Sequence, residues 1–433
     1  MHRFFLSITL IWFLYPLWSQ DLNFVKKNIQ TLTSPEFHGR GYVKKGDIKA
    51  SEYLANQFKN FGLIPFGDNY FQTYQFEVNT FPKKMEINID GKVLVPARDF
   101  YINPGSKGIK GSYNIVRFGL KEVDQDTIQL RAFFKGNHRN HFILLDTLGW
   151  GKDPFRKAMR EAISGNLPNA AGILEVADTG MIFSVRTFAN DYTKFTLRRR
   201  AIPENAKNIA VKADQKLIKH NARNVIGYLP GETDTFIVFT AHYDHLGYMG
   251  RNTMFPGAND NASGTSMVLD LIRELSEKKN HRYSYAFMLF SGEEAGLLGS
   301  THYVQHPYFP LKNIKQVLNF DMVATGSGGV NVFNGAVLKH EYALLDTINK
   351  SNNFGIELKM KSTSRGSDHY PFHAKGVPAL FILTDGKEVG YHVPEDAFEK
   401  LPFQAYEKLF KIIIQYVEAK ENGQIIYRPY SGR

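Results

Sequence analysis

A chain of 433 residues, 43% apolar and 22% charged, has the make-up of an ordinary globular protein of about two to three domains, which excludes disordered, collagen-like and low-complexity classes. It contains no cysteine, so its stability cannot draw on disulfides and any metal must be held by oxygen and nitrogen ligands. The formal net charge of +11 comes from scattered Lys and Arg, densest at Arg198 to Arg200, which reads as a solvated basic surface and not as a nucleic-acid interface.

Residues 1–20 begin with His2 and Arg3, continue through an apolar stretch from Phe4 to Leu17, and close on small or polar residues. This is the pattern of a secretory signal peptide, with cleavage expected after Ser19 or Gln20. The stretch is short for a spanning helix and Pro16 interrupts it; no later segment approaches the roughly 20 apolar residues that a span needs. The expected address is therefore periplasmic or extracellular, with no stable membrane span once the leader is removed.

From Leu22 to Phe71 the chain reads as helical and then extended. Apolar residues at helical spacing (Ile48, Tyr53, Leu54, Phe58) predict a helix over Ile48 to Phe61 with Gly62 at its end. The preceding LTSPEFHGRGY is a polar, Gly- and Pro-punctuated loop, and its His38 reads as an ordinary surface histidine. Between Lys84 and Asp214 strand-like segments alternate around one helical stretch, Pro154 to Ile163. No His, Asp and Glu cluster at strand ends there. Residues 84–214 are therefore expected to form an inserted β-rich domain that shapes access to the main site, while 21–83 and 215–433 form the principal domain.

Three short apolar runs, Phe236 to Thr240, Tyr285 to Phe290 and Gln316 to Phe320, read as buried parallel strands. Each ends in metal-ligand side chains: His242 and Asp244, Glu293 and Glu294, then Asp321. Open α/β sheets bind ligands beyond the carboxyl ends of their strands, so these residues predict one shared site. Alternation of strands and helices continues to a last helix expected from about Glu399 to Ala419, giving a three-layer α/β/α domain with a mixed, largely parallel sheet.

His242 and Asp244 lie two apart, so an imidazole can bind metal while a carboxylate orients a neighbouring ligand. Asp260, in GANDNASG, can bridge two cations. Glu293 and Glu294 leave a buried strand side by side and repel each other, a cost that a cation removes; one can bind metal while the other handles a proton. Asp321 and His392 complete the set: two histidines and three carboxylates as ligands with one carboxylate spare, the inventory for two Zn²⁺ ions, a bridging carboxylate and a base for a water.

With AHYDHLG, GANDNASG, FSGEEAGLLGS, LNFDM, SDHYPF and YHVPED in order, and LTSPEFHGR and NVIGYLPG upstream, the chain resembles the exported di-zinc aminopeptidases. Their peptidase family also includes glutamate carboxypeptidase-like enzymes and glutaminyl cyclases. The segment 84–214 resembles, more loosely, the protease-associated insert that many members carry. The resemblance implies that His242 and Asp321 hold one zinc, Glu294 and His392 the other, and that Asp260 bridges them. It makes Glu293 the general base, Asp244 the carboxylate behind His242, Tyr391 the support for the oxyanion and Arg365 a substrate contact. His245 and His369 are not assigned as ligands. The implied substrates are peptides with a free N-terminus, and nucleic acid is not among the partners. Three other activities stay open at this point: a glutaminyl-peptide cyclotransferase using one zinc, a non-catalytic peptidase-like binding protein, and a carboxypeptidase acting on acidic C-termini. The presence of both His242 and Asp321 favours two metals.

Overall fold

The computed structural model describes residues 20–278 and 280–423; the leader expected over residues 1–20 thus falls almost wholly outside them. Among the described residues, the principal sheet has eight strands. Their order is Phe71–Thr80, Lys216–Leu229, Tyr283–Phe290, Thr233–His242, Ile314–Phe320, Ala379–Thr384, Val330–Phe333 and Leu358–Met360. The four strands from Tyr283–Phe290 to Ala379–Thr384 are mutually parallel, and antiparallel neighbours flank them on both sides. Every residue of Tyr283–Phe290 is buried, which is why its part from Tyr285 to Phe290 reads as an unbroken apolar run and not as an alternating one. Burial of each large apolar side chain contributes about 1.5–3 kcal/mol, so this centre is a rigid base for whatever sits at its strand ends.

Helices cover both faces. Leu22–Thr33, Gly46–Asn60, Gly264–Ser276, Lys339–Ser351 and Tyr406–Glu421 pack one core, and the short helices Leu298–Gln305 and His369–Ala374 cover the other face through Tyr303 and Phe372. The result is an α/β/α layering. The last helix starts at Tyr406 and not near Glu399, with Phe398–Lys400 forming a separate single turn. Pro402 explains the break: it forces Leu401 into an extended conformation, φ −77° and ψ 119°, that cannot continue a helix.

Residues between Glu86 and Ala213 build a second eight-stranded sheet. Its centre runs Ile109–Phe118, His141–Leu145, Gly172–Ala177 and Thr193–Arg198, all parallel, with antiparallel strands outside. It carries more helix than the one stretch read from sequence: Leu120–Val123 and Thr127–Lys135 accompany Pro154–Ser164. Thr127–Lys135 buries only Leu130, so its apolar periodicity is faint, and its start is fixed by Asp126 accepting the Gln129 N–H. One face of this sheet closes on its own residues, including Phe118, Ile143, Trp150 and Ile173. The other packs on Tyr42, Val78, Phe81, Leu246, Met249 and Phe255 of the principal body, so the two sheets share a core.

Candidate metal centre

The parallel register sets the first pair of groups. His242 is the last residue of its strand and Asp321 follows the end of the adjacent one; His242 Nε2 lies 3.3 Å from Asp321 Oδ1. On the other side, Tyr283–Phe290 leads through Ser291 and Gly292 into Glu293 and Glu294. Gly292 turns the chain at φ +72°, where a Cβ would lie 2.6 Å from the Tyr74 hydroxyl. The N–H groups of Glu293 and Glu294 donate to the two oxygens of Asp244, 3.3 Å each, and the Tyr42 hydroxyl donates to Asp244 Oδ2 at 2.5 Å. Asp244 therefore anchors the acid pair as well as standing behind His242, whose Nδ1 is 3.7 Å from its carboxylate and bonds its backbone carbonyl at 3.2 Å.

Asp260 lies between the two histidines. Its Oδ1 is 3.4 Å from His242 Nε2 and its Oδ2 is 3.2 Å from His392 Nε2, which also lies 3.1 Å from Glu294 Oε2. The loop carrying Asp260 is held by Asp396, whose carboxylate accepts the N–H groups of Asn259 and Asp260 at 2.8 and 3.0 Å. His392 Nδ1 contacts the carbonyl of Phe183 at 2.9 Å. A carbonyl only accepts, so Nδ1 carries a hydrogen in both histidines and Nε2 of each faces carboxylates. Burial lowers the proton affinity of both imidazoles, but the surrounding acids outweigh it and raise both, His392 to about 11.

This donor set tests itself. Nitrogens of His242 and His392 and oxygens of Asp260, Asp321 and Glu294 lie 3.1–3.4 Å apart in neighbouring pairs with their side chains buried. Two groups, His242 with Asp260 and Asp321, and His245 with Asp260 and Glu294, bring ligand atoms close enough to hold an ion. Cations or trapped protons must relieve that arrangement, and the residue types suit zinc. The two adjacent glutamates also diverge. Burial pushes Glu293 well above the usual carboxylate range against the pull of His242, with Asp321, Glu294 and Asp368 adding to the rise. Burial acts on Glu294 too, but His392 and the hydrogen bonds from His245 and His392 bring it down to about 2. Neighbouring carboxylates driven apart in this way are suited to different tasks.

The remaining sequence candidates fall in different places. Tyr391 is 49% exposed and its ring stacks on His392 with centroids 3.8 Å apart. Arg365 is exposed, its guanidinium 5.4 Å from the Tyr370 ring centroid, and it takes no part in the contacts around Asp260. His38 lies 3.4 Å from Lys49 Nζ in the N-terminal loop, and His369 is buried against Phe381, pushed by burial down to about 4. His245 is different: its Nδ1 is 2.7 Å from Glu294 Oε1 and 4.0 Å from Asp260 Oδ2. Sequence reasoning missed Asp396, Tyr42 and Asp368. Asp368 is buried, donated to by Ser300, and pushed by burial to about 7. Only Asp396, four residues after His392 in YHVPED, left a signal that spacing could have found.

Known proteins agree with this architecture. Residues 224–417 match peptidase family M28. All of the convergent residues lie within that family M28 segment. The chain is 33% identical over 176 residues to aminopeptidase YwaD of Bacillus subtilis, covering 38% of this chain and 36% of that protein. A probable leucine aminopeptidase of Trichophyton verrucosum is 27% identical over 220 residues, 48% of this chain and 58% of its own length. The chain thus spans between about a third and three-fifths of these curated relatives. The fold extends further: a zinc aminopeptidase from Bacillus subtilis superposes with a TM-score of 0.68 at 19% identity, covering 93% of this chain and 95% of that one. An aminopeptidase from Aneurinibacillus sp. strain AM-1 gives 0.63 at 20% identity, with 93% and 94% covered. Among the described residues, no helix is long and apolar enough to cross a membrane.

Proposed function

We propose that this chain is an exported two-zinc aminopeptidase that releases N-terminal residues from peptides. The observation that carries the reading is the position of Asp260, one oxygen toward His242 and the other toward His392. His242 and Asp321 would hold one Zn²⁺ and Glu294 and His392 the other, with Asp260 placed to serve both. When bound, the two ions supply Lewis acidity and lower the pKa of a water at the site.

The protein's own groups do the rest. Glu293, spared from metal duty, accepts a proton from the attacking water and returns it to the leaving amine. The Tyr391 hydroxyl donates to the oxyanion that develops on the scissile carbonyl. Asp244 keeps the acid pair in place through their backbone N–H groups. The surplus of buried acids favours the ammonium of a free substrate N-terminus, which restricts cleavage to chain ends. Residues 84–214, protease-associated in type, form one wall of the approach, a reading supported by the contact of Phe183 with His392. The names of the relatives and the apolar leader support peptide substrates and export.

Hydrolysis of a panel of unblocked and N-blocked peptides tests this reading. Amino acids should be released from the unblocked peptides only. Cyclisation of N-terminal glutamine, release from C-termini, or no turnover would each overturn it.

A further inference from the structure

The HGRG motif of the N-terminal loop lies outside the family M28 segment, yet it reaches the metal centre. Arg40 is fully buried. All five of its N–H donors go to main-chain carbonyls. Nε donates to Tyr243 at 2.8 Å; Nη1 donates to Leu32 at 3.1 Å and Pro256 at 2.6 Å; Nη2 donates to Gly257 at 2.6 Å and, at a longer 3.4 Å, to Asp260. The Arg40 carbonyl in turn accepts the His245 N–H at 3.2 Å. The acceptors come from three separate pieces of chain: the end of helix Leu22–Thr33, the residue after His242, and the loop that ends in Asp260. Gly39 lets the motif enter, because a Cβ there would lie 2.3 Å from the Phe255 carbonyl.

Burying a cation with no carboxylate among its hydrogen-bond partners is costly unless every donor is satisfied. Here every donor is, and only a planar five-donor fork can serve these acceptors at once; an ammonium has three donors and no such plane. The same side chain thus grips the strand end that presents His242 and the loop that presents Asp260.

We propose that Arg40 is a positioning residue for the metal centre: its guanidinium fixes the separation of His242 from Asp260 and so sets the zinc affinity of the bridged pair. This rests on the two-zinc reading of the site. Groups that orient ligands from behind typically change metal affinity about 10–100-fold when replaced.

The test is zinc titration of the full-length mature protein after chelator treatment, in competition with a chromophoric chelator, alongside melting temperature with and without zinc. Arg40→Lys is expected to bind zinc at least tenfold more weakly and to gain less in melting temperature from zinc than wild type does. A purely structural arginine would lower the apo and zinc-loaded melting temperatures equally and leave the affinity unchanged, which overturns the proposal. If Arg40→Lys does not fold, Arg40→Gly replaces it: the residue's φ of +49° suits glycine, and the space left admits a guanidinium ion. Millimolar guanidinium, but not urea, should then strengthen zinc binding. No folded protein from either variant, with or without guanidinium, would place Arg40 in the fold alone and overturn the proposal. Wild type that binds no zinc would instead sink the two-zinc reading itself.

Discussion

Phe183 and His392 hold each other at two points. The Phe183 N–H donates to the His392 carbonyl at 3.1 Å, and His392 Nδ1 donates to the Phe183 carbonyl at 2.9 Å. One residue belongs to the segment between the two halves of the principal body, the other to the acid-lined centre, so the second sheet is built into the site and does not merely overhang it. The Phe183 ring is buried and stacks on Phe255 with centroids 5.1 Å apart. Phe183→Ala should cost about 3–5 kcal/mol of stability and weaken zinc binding by loosening His392. A chemical melt combined with zinc titration checks both effects; a normal zinc affinity would show that the imidazole keeps its orientation unaided.

Glu293→Gln should lower turnover of unblocked peptides by about 10²–10⁴-fold, the usual contribution of a positioned acid-base group, with zinc content unchanged. Kinetics paired with metal analysis decide it. Loss of zinc in this variant would move Glu293 into the ligand set.

Tyr42→Phe removes the phenol that donates to Asp244 at 2.5 Å in a buried setting. A hydrogen bond to a charged partner is worth about 1.5–3 kcal/mol, so the urea midpoint should fall accordingly. An unchanged midpoint would mean that the two backbone N–H groups of the acid pair suffice to satisfy Asp244.

Asp270, on the buried helix Gly264–Ser276, has Oδ1 3.0 Å from Arg273 Nε. Burial pushes it to about 7 despite Arg273. The folded state therefore binds this proton more tightly than the unfolded chain. The stability it contributes is full below about pH 4 and is lost as pH rises through about 7. Chelator-treated Asp270→Asn should gain on wild type in melting temperature between about pH 5 and pH 8. A difference that does not vary with pH would contradict this assignment.

What was legible in the sequence follows from where the chemistry sits. His242, Glu293, Glu294 and Asp321 each come at or just after the end of an apolar run, so period and composition pointed to them directly. The layering was legible for the same reason, since Tyr283–Phe290 is buried throughout. Arg40 and Tyr42 were not, because their partners Tyr243, Asp260 and Asp244 lie some two hundred positions away and no local pattern announces a buried arginine. His245 stands beside two candidate ligands in sequence, yet only the fold shows it at 2.7 Å from Glu294. Thr127–Lys135 escaped notice because it buries a single leucine.

The most direct test of the central claim is zinc content per chain in the purified mature protein, measured by plasma emission alongside Asp260→Asn. The account predicts about two zinc ions in wild type and a marked loss in the variant, since Asp260 serves both histidines. One zinc per chain in both proteins, or none in wild type, would contradict it.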